Sequence, residues 1–255
     1  MKEKFGTFVG VILFTSIFCG ITFLTLSANN SGSENHTKIK LIGNHFLTEQ
    51  EYLLNSNLDE INKFSKLSLP EIKARIEKNE YILYTEVYKD GDGAVNIKVY
   101  EKEIVAVLLG LGEPYLITSK FDLIPMIKNS DISNLPVIIN ADVSDEEINH
   151  HNVLNSQIIC AFKIIDAVKF VGNNMYKDLA EINLRGGGEV IVKFSGVSFP
   201  VILGRGSEGD KIVLLSGIWN GIKNHDELFK NCNYVDLRFS NKIFIGNPVV
   251  TEMNG

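Results

Sequence analysis

The sequence predicts an α+β protein: a single N-terminal transmembrane helix, a βααββ module, and then a mostly antiparallel β-domain with flanking helices. Three observations predict it. An uncharged apolar run covers residues 5–26. Helix-start signals and period-two strands then share residues 38–103. Beyond them, short apolar runs separated by turn residues continue to residue 247, with one long stretch of helical periodicity among them.

At about 1.5 Å per residue, the apolar run is long enough to cross a hydrocarbon core of about 30 Å. A cleaved signal peptide has an apolar core of only about 7–15 residues. The best cut here, after Ser27 or Ala28, follows a longer run, and Cys19 follows Phe18 rather than the small residue of a lipoprotein cleavage site. Lys2 and Lys4 precede the run, whereas residues 27–37 carry only Glu34. The positive-inside rule therefore makes residues 1–4 a cytoplasmic tail and 27–37 an exported linker. The chain is read as single-pass, with everything after the linker outside the cytoplasmic membrane.

Of the 255 residues, 45% are apolar and 22% charged, values of a folded globular protein. The net charge of −6 argues against a nucleic-acid partner. Three cysteines make no disulfide scaffold, since Cys19 lies in the apolar run. Cys160 and Cys232 are left either as two buried thiols or as a bridge formed in an oxidising compartment.

In the first module, Ile39 and Leu41 share one face of a strand that Gly43-Asn44 ends. Thr48 with Glu51, and Ser68 with Glu71, form capping boxes that start two helices, and Pro70 is tolerated in the first turn of the second. Leu69, Ile72 and Ile76 give that second helix a core-facing stripe. Asp90-Gly91-Asp92-Gly93 then makes a hairpin turn, after which Val95, Ile97 and Val99 share a face. This order, with Ile42-Gly43-Asn44 soon after a membrane helix, resembles a single POTRA domain over residues 38–103.

The second domain spans 104–247, followed by a short tail, 248–255. Residues 149–171 read as an amphipathic helix with Val153, Leu154, Ile158, Ala161, Ile164, Ile165 and Val168 at three- and four-residue spacing. Candidate strands at 178–184, 189–194 and 199–203, joined by short turns, imply antiparallel pairing.

Two readings compete at Gly204-Arg205-Gly206-Ser207-Glu208-Gly209, a literal GxGxxG after Val201-Ile202-Leu203. A dinucleotide site needs a βαβ unit that continues into further parallel strands, and an acid about 20 residues on. The chain after Gly209 is too short for that sheet, and Asp226 sits in a polar segment. A tight strand-to-helix turn fits better, with glycines at positive φ, Ser207 as N-cap and Asp210 at the capping-box position.

No catalytic constellation is present in the sequence. His150 and His151 are adjacent, and on a helix they diverge by about 100°. Asp145-Glu146-Glu147 reads as a charged first helical turn, and no GxSxG elbow occurs. The chain is therefore read as no enzyme, with no cofactor, metal or small-molecule substrate.

Leu203-Gly204-Arg205-Gly206 and Tyr234-Val235-Asp236-Leu237-Arg238 together resemble the C-terminal signature of the FtsQ/DivIB cell-division family. Glu101 and Ala106 also match the family's junction between its two domains, although Ile104 stands where a proline is usual. Tyr115-Leu116-Ile117 and Leu135-Pro136-Val137-Ile138 resemble the hairpin and Leu-Pro element that follow. The resemblance implies a non-enzymatic scaffold of the division complex at the septum of a bacterial inner membrane. It would hold membrane-anchored coiled-coil partners of the FtsB and FtsL type and, through them, the septal peptidoglycan synthase. The partner face it implies comprises Tyr234, Arg238, Phe239, Ile243, Phe244, Ile245 and Gly246, with Asn247 in place of an aromatic found in some members.

The residues agree with a docking edge. Val235, Leu237 and Phe239 alternate with Tyr234, Asp236 and Arg238, Ser240-Asn241-Lys242 turns the chain, and Pro248 stops the last strand. An unpaired last strand invites β-augmentation, with Arg238 as an exposed cation for an acidic partner residue. The tail folding back over that edge is the competing reading. An envelope POTRA module of another assembly or transport system, or an exported enzyme, are the functional alternatives.

Overall fold

The computed structural model describes residues 14–22, 36–110, 112–127, 132, 134–239 and 242–246. Most of the expected membrane helix, most of the linker and the C-terminal tail lie outside the described residues. Residues 14–22 are helical (α1), and among the described residues no helix is long and apolar enough to cross a membrane.

The chain forms two compact units. The first unit ends at Tyr100 and leaves out His45–Leu47. It contains β1 (Lys38–Ile42), α2 (Glu49–Asn55), α3 (Ile61–Phe64), α4 (Leu69–Ile76), β2 (Ile82–Lys89) and β3, whose strand (Ala94–Glu101) runs one residue past it. Both expected capping boxes form: Thr48 accepts from the Glu51 N–H, and Ser68 from the Glu71 N–H. The short α3 is an addition to the two expected helices. β1 lies parallel to β3, in the order β1-β3-β2. Ile39, Leu41, Val95, Ile97 and Val99 fill the buried face with Ile72 and Ile76. Gly43 is required where β1 ends, because its φ is +88° and a Cβ there would stand 2.5 Å from the Val99 carbonyl oxygen.

The second unit takes His45–Leu47 and everything from Glu101. The Glu101 carboxylate accepts from the N–H groups of His45 and Phe46 at 2.9–3.3 Å. The unit's strands are β4 (Ile104–Leu108), β5 (Tyr115–Thr118), β6 (Leu123–Pro125), β7 (Val137–Ile139), β8 (Leu179–Asn183), β9 (Ile191–Phe194), β10 (Val201–Ile202), β11 (Tyr234–Asp236) and β12 (Phe244–Gly246). They form one sheet in the order β12-β11-β10-β9-β8-β7-β4-β5-β6. β8, β9 and β10 pair antiparallel as expected. β4–β7, β7–β8 and β10–β11 are parallel instead: helices intervene between β7 and β8 and between β10 and β11 and carry the chain back, whereas β4 and β7 are separated by the strands β5 and β6 and the connection that follows them.

The helix expected over 149–171 is two helices, α5 (Asp145–Asn149) and α6 (Ser156–Val171). His151 takes φ +50°, and the Asn155 carboxamide oxygen caps α6 by accepting from the N–H groups of Gln157 and Ile158 at 3.0 Å. His150 and His151 therefore follow a helix end rather than sharing a helix. Ser144 and Glu147 form a capping box on α5, which accounts for the acidic first turn. The helices α7 (Asn173–Asp178), α8 (Glu208–Ser216) and α9 (Trp219–Lys223) complete the unit.

Candidate functional site

β10 leads into the turn that the sequence singled out. Gly204 and Gly206 have φ +65° and +79°, as a backbone turn requires. A Cβ on Gly204 would come 2.9 Å from the Arg238 Cγ, so this turn and the 234–238 segment are packed on each other. Ser207 does not cap α8. It adopts a left-handed φ of +53° and makes no side-chain cap bond, because the adjacent Glu208 carboxylate takes that part and accepts the Gly206 N–H at 2.7 Å. Arg205 reaches back to the carbonyls of Leu184, Gly187 and Gly188 at 2.7–3.0 Å, and Lys211 donates to the Leu203 carbonyl at 2.8 Å. A carboxylate thus stands where a bound phosphate would need a free N–H, and like charge disfavours a nucleotide there.

Glu208 also accepts from the Cys160 thiol at 3.4 Å. Burial, reinforced by that carboxylate, pushes the Cys160 thiol up to about 11. Cys160 and Cys232 are both buried and free.

The terminal hairpin follows its alternation only in part. Val235 and Leu237 are fully buried, and Ile243 and Ile245 pack against the same core. Phe239 departs from that apolar face: it is 52% exposed and sets its ring edge-on to Phe244, 4.9 Å away. The strand ends at Asp236, so the alternation no longer constrains Phe239. Tyr234 (41% exposed) covers Gly246 from the opposite strand, in the space that a Cβ there would need. Tyr234, Phe239 and Phe244 therefore form an exposed aromatic group at the end of the sheet.

Arg238 is not the free cation that the sequence implied. It donates from Nε to both Asp236 carboxylate oxygens at 3.0 Å, from Nη2 to one of them at 2.6 Å, and from Nη1 to Glu189. Asp236 is only 4% exposed and needs that partner. The Arg238 guanidinium holds its carboxyl below the usual carboxylate range. The hint in the sequence was the i, i+2 pairing of Asp236 with Arg238, but nothing marked Glu189.

The orientation of β12 follows from its neighbour. Val235 and Leu237 give their N–H groups to the carbonyls of Pro200 and Ile202, towards β10. Ile245 is paired across from Val235, and in an antiparallel ladder both members of such a pair turn their bonding groups away from each other. The Ile245 N–H and carbonyl therefore face outward, where no described strand lies. Beside the edge, a cleft of about 300 Å³ is lined by Arg205, Lys211 and Arg238 together with Asp210, Leu214 and Phe239. Ser240 and Asn241 of the turn, and Asn247 and Pro248, lie outside the described residues.

No protein-family model matches the chain. The chain is similar to the cell division protein FtsQ of Geobacter sp. (strain M21), with 26% identity over 182 residues. The match takes in 71% of this chain and spans 64% of the length of that relative. This similarity supports an FtsQ-type family for the chain.

Proposed function

We infer that this protein serves bacterial cell division as a non-enzymatic, membrane-anchored scaffold that captures partners on the open edge of β12. The similarity to a cell division protein supports the cellular role. The observation that carries the molecular reading is the outward-facing backbone of Ile245, flanked by exposed Tyr234, Phe239 and Phe244. An extended segment added there gains ladder hydrogen bonds and covers aromatic surface. Membrane coiled-coil proteins of the FtsB and FtsL type are the partners, and through them the septal peptidoglycan synthase. In this reading residues 5–26 anchor the chain in the inner membrane, the first unit is the POTRA domain, and the exported units act at the septum. The cleft beside the edge sets Arg205, Lys211 and Arg238 with Asp210, an excess of positive charge for an acidic partner side chain, although Arg205 and Lys211 also hold backbone carbonyls and Arg238 serves first as the internal clamp of Asp236.

Ile245→Pro tests the reading, because a proline there removes an outward donor without breaking a β11–β12 bond. The variant should stay folded by circular dichroism, fail to co-purify the coiled-coil partners, and leave depleted cells filamentous. Wild-type capture by the folded variant would place the interface elsewhere.

A further inference from the structure

The three-stranded sheet of the first unit has one buried face and one bare one. Strand register puts Lys38, Lys40 and Ile42 of β1 on the bare face with Asn96 and Lys98 of β3, opposite the buried Ile39, Leu41, Val95 and Ile97. Tyr100 continues that face and stacks on Tyr84 of β2 at 4.2 Å and 14°. Lys98 Nζ lies 4.7 Å from the centroid of the Tyr100 ring. Alternation along β2 adds Glu86 and Tyr88. Tyr84, Tyr88 and Ile42 are 44%, 49% and 52% exposed.

The carboxylate on this face is Glu86, which accepts from the Tyr100 hydroxyl at 3.2 Å; Asp90, at the β2–β3 turn, accepts from Asn96 at 2.9 Å. No ion pair is recorded for Lys38, Lys40 or Lys98 among the described residues. A chain of net charge −6 thus gathers three lysines and three tyrosines, with one carboxylate, Glu86, on a face left exposed among the described residues. That composition suits a phosphate-bearing interface, where lysines meet anionic headgroups and tyrosine keeps its ring in the apolar margin and its hydroxyl in water. A membrane is within reach, since residues 27–37 span at most about 40 Å fully extended.

We propose that the bare face of this sheet lies on the anionic lipid surface of the membrane that anchors the chain, with Lys38, Lys40 and Lys98 against lipid phosphates. The proposal rests on the membrane-anchored reading above.

The test uses the full chain in nanodiscs of phosphatidylcholine alone and of phosphatidylcholine mixed with phosphatidylglycerol. Lysine acetylation by a water-soluble reagent is followed by mass spectrometry, with the exposed Lys66 and Lys78 of the same unit as controls. In the anionic bilayer Lys38, Lys40 and Lys98 should be modified several-fold more slowly, up to about fivefold for each lysine engaged. The controls should not change, and raised salt should abolish the difference. Equal rates in the two bilayers overturn the proposal and leave the face to an acidic protein partner; equal slowing of all five lysines overturns it too. Flotation of the chain with bilayers after an alkaline wash reads the anchor separately. A chain that floats with its three lysines unprotected loses this proposal alone, whereas a chain that does not float loses the anchor as well.

Discussion

At the β6 end of the large sheet, Leu123 gives its N–H to the His151 carbonyl at 2.9 Å, Asp122 bridges antiparallel to Asn152, and Val153 donates to the Phe121 carbonyl. Pro125 closes the same strand. At the β12 end, Ile245 turns its bonding groups outward beside three exposed aromatic rings, and no described segment meets them. A terminal strand is a hazard unless it is covered, charged or interrupted. One end of this sheet is covered by the chain's own segment and interrupted by proline, and the other keeps its template among the described residues, which is the arrangement a sheet needs if it recruits at one edge only.

The comparison breaks most visibly under proline. Leu123→Pro removes the bond to His151 and a fully buried side chain, so it should cost on the order of 3 kcal/mol or more. Ile245→Pro removes no bond within the sheet and should cost roughly 1–2 kcal/mol, chiefly from lost packing. Chemical denaturation of the two variants measures the contrast. Equal losses would mean that the β12 edge is internally paired.

Gly204→Ala asks what holds the open edge in place. A non-glycine residue in left-handed conformation costs about 1–2 kcal/mol, and the Cβ would also press on the Arg238 side chain that steadies the 234–238 segment. Gly206→Ala meets nothing within 4 Å and should cost only the conformational part. The ordering Gly204 above Gly206 in thermal unfolding sharpens the claim that the turn and the hairpin form one structural joint.

Much of this was legible in the residues, and the reasons for the rest are physical. The capping boxes at Thr48 and Ser68 depend on neighbours three residues apart, and both form. Alternation placed Ile39, Leu41, Val95, Ile97 and Val99 on the buried face because strand period is fixed by the backbone. Parallel pairing of β7 with β8 and of β10 with β11 depends on where helices return the chain, and that of β4 with β7 on where the chain re-enters the sheet after β5 and β6, which no local pattern encodes. The break between α5 and α6 depended on Asn155 preferring a cap to a helix interior, so apolar spacing alone carried the helix too far. At the β12 edge, the exposure of Phe244 was legible in the hairpin's own sequence, but that of Phe239 was not, because alternation grouped it with Val235 and Leu237, and the outward turn of Ile245 depends on the bonds that β11 makes to β10. The engagement of Arg238 depended on Glu189, which is distant in the chain, and on the burial of Asp236.

Cys160 reports on the ground behind the joint. Its raised folded pKa, about 11, stands above an unfolded value near 8.5. A group with a raised folded value contributes stability below its unfolded pKa, and that contribution is lost as pH rises through the folded one. Stability should therefore decline between about pH 9 and 11 in wild type and less so in Cys160→Ala, measured by denaturant titration. Thiol reagents should react slowly with the native protein at pH 8 if the thiol stays protonated beside Glu208.

The smallest expected effect concerns acid. Arg238 holds the Asp236 carboxyl below its ordinary value, so the folded pKa lies under the unfolded value of about 3.9. A depressed carboxyl contributes stability above the unfolded pKa and loses it as pH falls through the folded one. Arg238→Met should remove most of that contribution, so its stability should fall less steeply than wild type below about pH 4, while at neutral pH it leaves Asp236 buried without its guanidinium partner. The effect is modest because Arg238 itself is partly exposed and screened by solvent. Arg238→Glu goes further, setting a third carboxylate beside Asp236 and Glu189, and should destabilise the hairpin before any partner is considered. Partner capture at neutral pH then separates two roles. If Arg238→Met binds normally once allowance is made for its unfolded fraction, Arg238 serves the hairpin from within; if a fully folded Arg238→Met still loses capture, the guanidinium also meets the partner at the open edge.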